Sequence, residues 1–181
     1  GREEARLIYA GVSRLLPYQN EQKLVVDIGG RSTEMIVGKG SRTLEAESFK
    51  VGSVSLSMKY FSENRYTEKG FKNAQVAAAA EIEESIETYT RHGWRAVYGS
   101  SGTVAVVSQL LQLHGVTDGT ITREGLAWLK NQLLKAGSAD RLRLEGLKEE
   151  RKAVMAGGLA ILNAIFEQFS LSTMQIAKGA L

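Results

Sequence analysis

The feature that most constrains the fold is a pair of short apolar strands joined by a glycine turn. Residues 23–28 (KLVVDI) and 33–37 (TEMIV) have the length and β-branched content of strands, and the four residues between them (GGRS) are typical of a tight turn. A third strand is expected over residues 43–51, after a turn at residues 38–41. Three successive strands with short turns predict a β-meander.

The rest of the chain alternates between helical and strand patterns. Apolar residues at helical spacing predict helices over residues 3–16, 54–61, 67–92, 104–113, 122–135 and 149–169, and further strands are expected over residues 94–99 and 173–177. Thr122 is the expected N-cap of its helix. No linker rich in Pro, Gly or Ser divides the 181 residues. The order predicts a single α/β domain with a mixed sheet that is flanked by helices.

Composition excludes several classes of protein. The chain has no Cys and only two His, so thiolate catalysis, disulfide frameworks and Cys-bound zinc are excluded, and a metal would need oxygen ligands, as Mg²⁺ does. Basic residues exceed acidic ones by only three, and 7% aromatic content offers little surface for base stacking, so no nucleic-acid partner is expected. No apolar run is long enough for a membrane span, and a cytoplasmic location is expected.

The first glycine turn carries the sharpest chemical signal. Asp27 lies near the end of one predicted strand and Glu34 near the start of the next, so the hairpin brings two carboxylates toward one tip. Between them, Gly29 and Gly30 allow positive φ and close approach, which exposes backbone amides to a ligand. Hydroxyl groups come from Ser32 and Thr33. Such a tip can bind an anion beside a metal or an attacking water, although a plain hairpin with two solvated acids has the same pattern.

A second glycine loop follows a later strand. Residues 99–103 (GSSGT) connect the strand over 94–99 to an apolar helix, and amides at a helix N-terminus commonly bind anions. A serine N-cap explains the same loop equally well. Both loops follow strand ends, where ligands collect in α/β sheets.

Together these motifs resemble the Ppx/GppA phosphatases, which comprise exopolyphosphatases and guanosine pentaphosphate phosphatases. The resemblance runs through the whole chain and rests on five segments in order: EEARLIYAGV (residues 3–12), LVVDIGGRSTE (24–34), GW with GSSGT (93–103), GLAIL (158–162) and GAL (179–181). It implies the actin-like, RNase H-like fold, in which two similar domains clamp phosphate between them. Residues 1–181 would be the second of these domains, and the first domain and any C-terminal domains would be absent.

The resemblance also implies roles for individual residues. Glu4 would orient or deprotonate the attacking water, although an ordinary acid at a helix start is the alternative reading of this residue. Asp27 would hold the metal, and Glu34 would assist the water or the metal. The phosphate-binding residues would be Gly29, Gly30, Ser32 and Thr33, with Ser101, Gly102 and Thr103 of the second loop.

Two positions depart from the family pattern. Arg31 stands where the family often has glycine or alanine, and it either points to solvent or adds a cation against the phosphate chain. Lys178 stands where the family often has Asp or Gly, which puts a polar role of that position in doubt. Elsewhere, the pair Gly157–Gly158 is expected to mark close helix packing, and His92 and His114 are expected to cap helix ends.

The expected activity is hydrolytic release of terminal orthophosphate from inorganic polyphosphate, with Mg²⁺ as cofactor. Guanosine pentaphosphate is the alternative substrate within the family, and an actin-like domain that binds ATP as a kinase or switch is the alternative outside it. A catalytically silent phosphate sensor is also compatible with the residues. The expected partners are the first actin-like domain of the same protein and a second copy in a homodimer.

Overall fold

The described residues form one six-stranded mixed sheet with helices on both faces. The structure is a computed structural model that describes residues 1–17 and 19–177. The strands are β1 (Gln22–Ile28), β2 (Thr33–Lys39), β3 (Arg42–Phe49), β4 (Ala96–Gly99), β5 (Ile121–Thr122) and β6 (Thr173–Ile176). The helices are α1 (Arg2–Ser13), α2 (Ser53–Tyr60), α3 (Glu68–Ile82), α4 (Ile86–His92), α5 (Gly102–Leu113), α6 (Arg123–Ala136) and α7 (Glu149–Gln168).

The sheet order is β3-β2-β1-β4-β6-β5. The expected meander is confirmed, because β1, β2 and β3 pair antiparallel. The later strands add to it through parallel pairs, β1 with β4 and β4 with β6, and the two-residue β5 closes the far edge antiparallel to β6. The predicted class, a mixed sheet with a meander and flanking helices, is therefore confirmed.

Each strand of the meander divides its side chains between two cores. Leu24, Val26 and Ile28 of β1 point into the larger core, which is built with α2 to α7. Val25 points to the opposite face, into a smaller core formed with α1. Strand alternation places Asp27 on that α1 face as well.

Tyr9 is one of the buried residues through which helix α1 packs against the meander. A Cβ at Gly38 of β2 would lie inside the ring of Tyr9, and the Tyr9 hydroxyl donates a hydrogen bond of 2.6 Å to the Gly40 carbonyl. The missing side chain at Gly38 therefore lets α1 cross the strands closely. Strand β2 runs to Lys39, two residues further than expected, and Gly40 makes the turn with φ of +59°.

The predicted helix over residues 67–92 is wrong in one respect, since it is two helices. A 3₁₀ turn at Glu83–Ser85 separates α3 from α4. The Ser85 hydroxyl donates to Glu47 Oε2 at 2.7 Å, and the Tyr89 hydroxyl donates to the Met35 carbonyl at 2.7 Å. These bonds tie α4 to the sheet and change the path of the chain.

Other local expectations are confirmed. Thr122 caps α6 by accepting a hydrogen bond from the Gly125 amide at 3.0 Å. Within the described residues, no helix combines the length and apolarity that a membrane span requires. The GAL motif at residues 179–181 and Lys178 lie outside the described residues. The cytoplasmic location stays a prediction.

Candidate active site

Two carboxylates lie opposite each other at the end of the β1–β2 hairpin. Asp27 pairs with Glu34 in the antiparallel register of these strands. Directly opposite residues share a face of the sheet, with Cβ atoms about 4.5–5.5 Å apart. The expectation that the hairpin brings the two acids together is therefore confirmed, and both face the side that carries α1.

Glu34 is held in place by two serine hydroxyls. Its side chain is only 2% exposed, and its Oε1 accepts hydrogen bonds from Ser32 Oγ at 2.8 Å and Ser48 Oγ at 2.9 Å. Ser32 thus acts on the acid of its own hairpin. Ser48 was not predicted, because it reaches Glu34 only through the pairing of β2 with β3.

Asp27 is the acid whose protonation is most affected by the site. Its pKa is raised to about 6, first by burial and then by the negative charge of Glu34. A hydrogen bond with the Ser100 side chain opposes the shift, and the charge of Glu4 makes a smaller contribution in the same direction as Glu34. Three acidic groups thus interact at one end of the sheet. Ser100, which is buried after β4, was not predicted as a site residue.

Glu4 approaches this pair from α1. It lies in the first turns of the helix, its side chain is 61% exposed, and its charge reaches Asp27. The structure therefore brings Glu4, Asp27 and Glu34 to the same end of the same sheet face. A carboxylate with access to water beside two others is in a position to orient a water molecule.

An open cleft of about 460 Å³ begins at Asp27. Of the predicted site residues, its walls include Asp27, Gly29, Gly30, Ser101, Gly102 and Thr103. The remaining wall residues were not predicted and are Ile28, Ser53, Val54, Glu150, Arg151 and Val154. The two glycine loops thus line one cleft, as expected from their places at strand ends.

The start of α5 forms one wall of the cleft. Ser101 caps the helix by accepting a hydrogen bond from the Val104 amide at 3.2 Å, so the capping alternative for this serine is correct. The Ala105 amide is bonded to the Ser101 carbonyl at 3.0 Å. Within the described chain, no acceptor is bonded to the amides of Gly102 and Thr103, which are the remaining donors of the first turn. Those amides are therefore available to donate hydrogen bonds to phosphate oxygens.

Arg151 adds a cation to the same wall. It lies in the first turn of α7, and a Cβ at Gly102 would collide with its guanidinium. No acid in the described residues forms an ion pair with it. The sequence offers only a weak signal for this residue. Arg151 is a basic side chain in the first turn of a helix, where acidic side chains are generally favoured.

The hairpin glycines serve close approach rather than positive φ. Gly29 and Gly30 allow positive φ, but neither residue adopts it. A Cβ at Gly30 would lie 3.2 Å from Val54 of α2, and one at Gly29 would lie 3.0 Å from the Ser32 carbonyl. Gly52 serves the same packing, because a Cβ there would overlap the backbone of Gly30 and Arg31.

Three predicted phosphate-binding residues, Arg31, Ser32 and Thr33, lie outside the cleft lining, and of these Ser32 is bonded to Glu34. Thr33 is buried on the other face of β2, and its hydroxyl donates to the Val51 carbonyl at 2.7 Å. Its side chain therefore fastens the hairpin to the segment before α2. The Arg31 side chain is exposed and does not line the cleft. This position agrees with the expectation that Arg31 points to solvent, rather than with the alternative of a cation against the phosphate chain.

A larger depression of about 570 Å³ lies elsewhere on the surface. It is lined by Arg65 and Arg141 together with Glu63 and Asp140, and Arg65 is already paired with Glu63 at 3.1 Å. It contains none of the sequence motifs, so size alone does not make it the functional site.

The acids of the cleft fit a magnesium ion that is bound partly by substrate. Within the described residues, no three His, Asp or Glu side chains form a ready chelating group. Proteins commonly hold Mg²⁺ through one or two carboxylates, with waters and substrate phosphates as the other ligands. Asp27 and Glu34 provide that number, and their mutual repulsion would be relieved by a cation.

Comparison with known proteins identifies the family of the chain. The model of the Ppx/GppA phosphatase family matches residues 1–181. A protein of Haemophilus influenzae that carries the name "Putative exopolyphosphatase" is 40% identical over 181 residues, which are 100% of this chain and 56% of that protein. The chain therefore belongs to the Ppx/GppA phosphatase family.

Solved structures show the same fold. An exopolyphosphatase from Cytophaga hutchinsonii superimposes with a TM-score of 0.82 at 20% identity, covering 98% of this chain and 59% of that one. The Ppx/GppA family member from Aquifex aeolicus gives 0.80 at 22% identity, with 97% and 58% covered. The chain thus spans less than two thirds of the length of these relatives.

Proposed function

We propose that this chain is the second actin-like domain of a phosphatase that releases terminal orthophosphate from inorganic polyphosphate. The observation that carries the proposal is the lining of the cleft, which combines Asp27, the strand partner of Glu34, with the free amides at the start of α5 and the guanidinium of Arg151. A carboxylate, hydrogen-bond donors and a cation in one cleft match what phosphoryl transfer requires.

The reaction needs no nucleophilic side chain. A water oxygen forms a bond to the terminal phosphorus, the bond from that phosphorus to the bridging oxygen breaks, and the shortened chain leaves with the bridging oxygen. Glu4 orients the water and accepts its proton, as its access to water permits. Glu34, which two serines fix in place, lies opposite Asp27 on the neighbouring strand.

The donors act on the phosphate itself. The amides of Gly102 and Thr103 donate hydrogen bonds to oxygens of the terminal phosphate. The positive charge of Arg151 partly neutralises the negative charge of the neighbouring phosphates. Mg²⁺, held by Asp27 and assisted by Glu34, would supply further neutralisation of the transferring group. The relatives named above as exopolyphosphatases support this substrate class.

Guanosine pentaphosphate is the alternative substrate. The lining of the cleft, as far as the described residues form it, includes no aromatic side chain on which a base could stack. That composition favours an inorganic chain. A kinase or an ATP-driven switch would also need a site for a base, so the same composition does not favour it.

The test is a substrate panel on the full-length protein that this domain implies. Orthophosphate release is measured from long-chain polyphosphate, tripolyphosphate, guanosine pentaphosphate and ATP, with Mg²⁺ present. We expect the first to be the best substrate. Turnover of ATP alone would favour the kinase or switch, and turnover of guanosine pentaphosphate alone would favour the nucleotide phosphatase.

The role of Glu4 is tested by a pair of neighbouring variants. Glu4→Gln should lower kcat by about 10²–10⁴ with little change in KM, because a general base contributes on that scale. Glu3→Gln is the matched control, since Glu3 is another acid in the first turn of α1. Equal kcat values for the two variants would contradict the assignment of Glu4.

A further inference from the structure

A buried lysine lies next to the cationic residue of the cleft. Lys152 follows Arg151 at the start of α7, yet only 4% of its surface is exposed. Lysine is almost never fully buried unless its ammonium is paired, because burial of an unpaired charge is costly. Lys152 is not among the described residues that line the cleft, and the proposed reaction gives it no role.

The Lys152 ammonium has two partners. Its Nζ donates hydrogen bonds to the Leu142 carbonyl at 2.7 Å and to Glu149 Oε1 at 2.6 Å. The Glu149 side chain is 84% exposed, and an ion pair with such a group contributes little. The bond to the Leu142 carbonyl is buried, where a charged donor contributes more. This bond therefore ties the start of α7 to the chain that precedes it.

The part of the chain that receives this bond is itself fixed. The connecting segment, residues 137–148, runs from α6 to α7. The Tyr66 amide donates to the Gly137 carbonyl at 2.8 Å, and His114 Nε2 lies within hydrogen-bond distance, 2.8 Å, of the Glu145 carbonyl. Three leucines of the segment are buried in the larger core: Leu142, Leu144 and Leu147. The connecting segment is therefore a firm support for α7.

A tyrosine holds the same turn of α7 from another element. The Tyr66 hydroxyl donates to the Lys152 carbonyl at 2.6 Å, and both groups are buried. Burial raises the pKa of Tyr66 to about 12, so the hydroxyl keeps its proton and donates at neutral pH. Lys148, the N-cap residue of α7, forms no capping hydrogen bond through its side chain within the described chain. Lys152 and Tyr66 therefore provide ties that a capping side chain often gives.

The position of the Arg151 guanidinium depends on this turn. The guanidinium occupies the space that a Cβ at Gly102 would need, so it lies against the start of α5. A shift of the first turn of α7 would move it relative to the free amides there, and contacts in a reaction site depend steeply on position. We propose that Lys152 is a positioning residue that holds Arg151 against the start of α5. The inference rests on the proposed function, in which Arg151 neutralises phosphate charge.

The first test is kinetic and uses the full-length protein with long-chain polyphosphate. Lys152→Met keeps an unbranched side chain and removes the ammonium, and the Leu142 carbonyl keeps a partner in Arg143 Nη1 at 3.0 Å. KM should rise about three- to tenfold, the scale of one hydrogen bond, with little change in kcat. Partial unfolding would instead lower kcat at unchanged KM, because fewer molecules would be active, and that result would overturn the proposal.

A double-mutant cycle shows whether Lys152 acts through Arg151. In an Arg151→Ala background, Lys152→Met should change KM by less than about twofold, because the group that it positions is gone. Equal fold-changes of KM in the two backgrounds would overturn the proposal, since Lys152 would then act on the site independently of the guanidinium.

Tyr66→Phe removes the second tie without a change of charge. It should raise KM about two- to fivefold, and this rise should also disappear in the Arg151→Ala background. Tyr89→Phe is the matched control, because it removes a buried hydroxyl bond of 2.7 Å to the Met35 carbonyl, and neither residue lines the cleft within the described chain. It should leave KM as in the parent. An equal rise in KM for both tyrosine variants would show that any lost buried bond has this effect.

Hydrogen exchange supplies a readout that needs no substrate. In Lys152→Met, the amides of residues 153–157 should exchange about three- to tenfold faster, with the end of α7 unchanged. Unchanged exchange at residues 153–157 would overturn the proposal. A parent protein that does not hydrolyse polyphosphate, or an Arg151→Ala variant with the KM of the parent, would count against the proposed function, and hydrogen exchange would still decide whether Lys152 holds the turn that carries Arg151.

Discussion

At the scale of single residues, Asp27 links the stability of the domain to its site. Its pKa is raised to about 6, first by burial and then by the charge of Glu34. Ionisation of Asp27 is therefore less favourable in the folded chain than in the unfolded one. The site is formed at a cost in stability, which is common where charged groups are gathered for binding or catalysis.

Asp27→Asn should therefore stabilise the domain in metal-free buffer above pH 6. Because the folded pKa lies above the unfolded one, the parent loses stability as the pH rises from about 4 to about 6, and the variant lacks this loss. The measurement is Tm against pH for both proteins. If the difference in Tm between the variant and the parent were the same at pH 4 and at pH 7.5, the ionisation of Asp27 would not be the cause of the added stability.

At the scale of elements, the cleft depends on how closely α2 and α5 approach α7. A Cβ at Gly157 of α7 would overlap the Ser53 carbonyl of α2, and one at Gly158 would overlap the methyl group of Thr103 of α5. The Gly157 amide also donates to Ser57 Oγ at 3.0 Å. The predicted close packing at Gly157–Gly158 is confirmed, and it brings the starts of three helices to one cleft.

Gly157→Ala should destabilise the domain by about 1–3 kcal/mol, because the new methyl group meets backbone atoms that cannot move independently. Gly11→Ala is the matched control, since Gly11 also lies within a helix but a Cβ there meets no atom within 4 Å. That change should instead stabilise by about 0.5–1 kcal/mol. Denaturant unfolding of both variants gives the comparison, and equal effects would contradict the packing argument.

At the scale of the whole molecule, the cleft is open to water. The chain corresponds to 56% of the length of its Haemophilus influenzae relative. Charge interactions weaken several-fold when water screens them. The contacts made by Arg151 and the three acids would therefore gain strength if a second domain covered them.

We accordingly expect this chain to unfold in a single transition yet to hydrolyse polyphosphate much more slowly than the longer relative. The two cores lie on opposite faces of one sheet, which favours cooperative unfolding. Orthophosphate release by both proteins under the same conditions is the measurement. Similar rates would contradict the need for a second domain.

Local sequence was sufficient for most elements of the fold. The period of apolar residues located α1 and β1, the Gly-Gly turn located the hairpin, and Thr122 marked the start of α6. These signals lie within a few contiguous residues, so they could be read directly. Strand β5 was missed because two residues carry no pattern and become a strand only by pairing with β6.

The candidate site was predictable in its motifs and not in its supporting contacts. The acids of the hairpin and the second glycine loop were found because each lies in one short segment. Ser48 reaches Glu34 through strand register, Ser100 reaches Asp27 from another strand, and Arg151 reaches Gly102 from a helix about 50 residues further along the chain. Contiguous residues thus determined the identity of the chemical groups, whereas only tertiary packing decided which of them meet, because such contacts depend on the arrangement of elements distant in sequence.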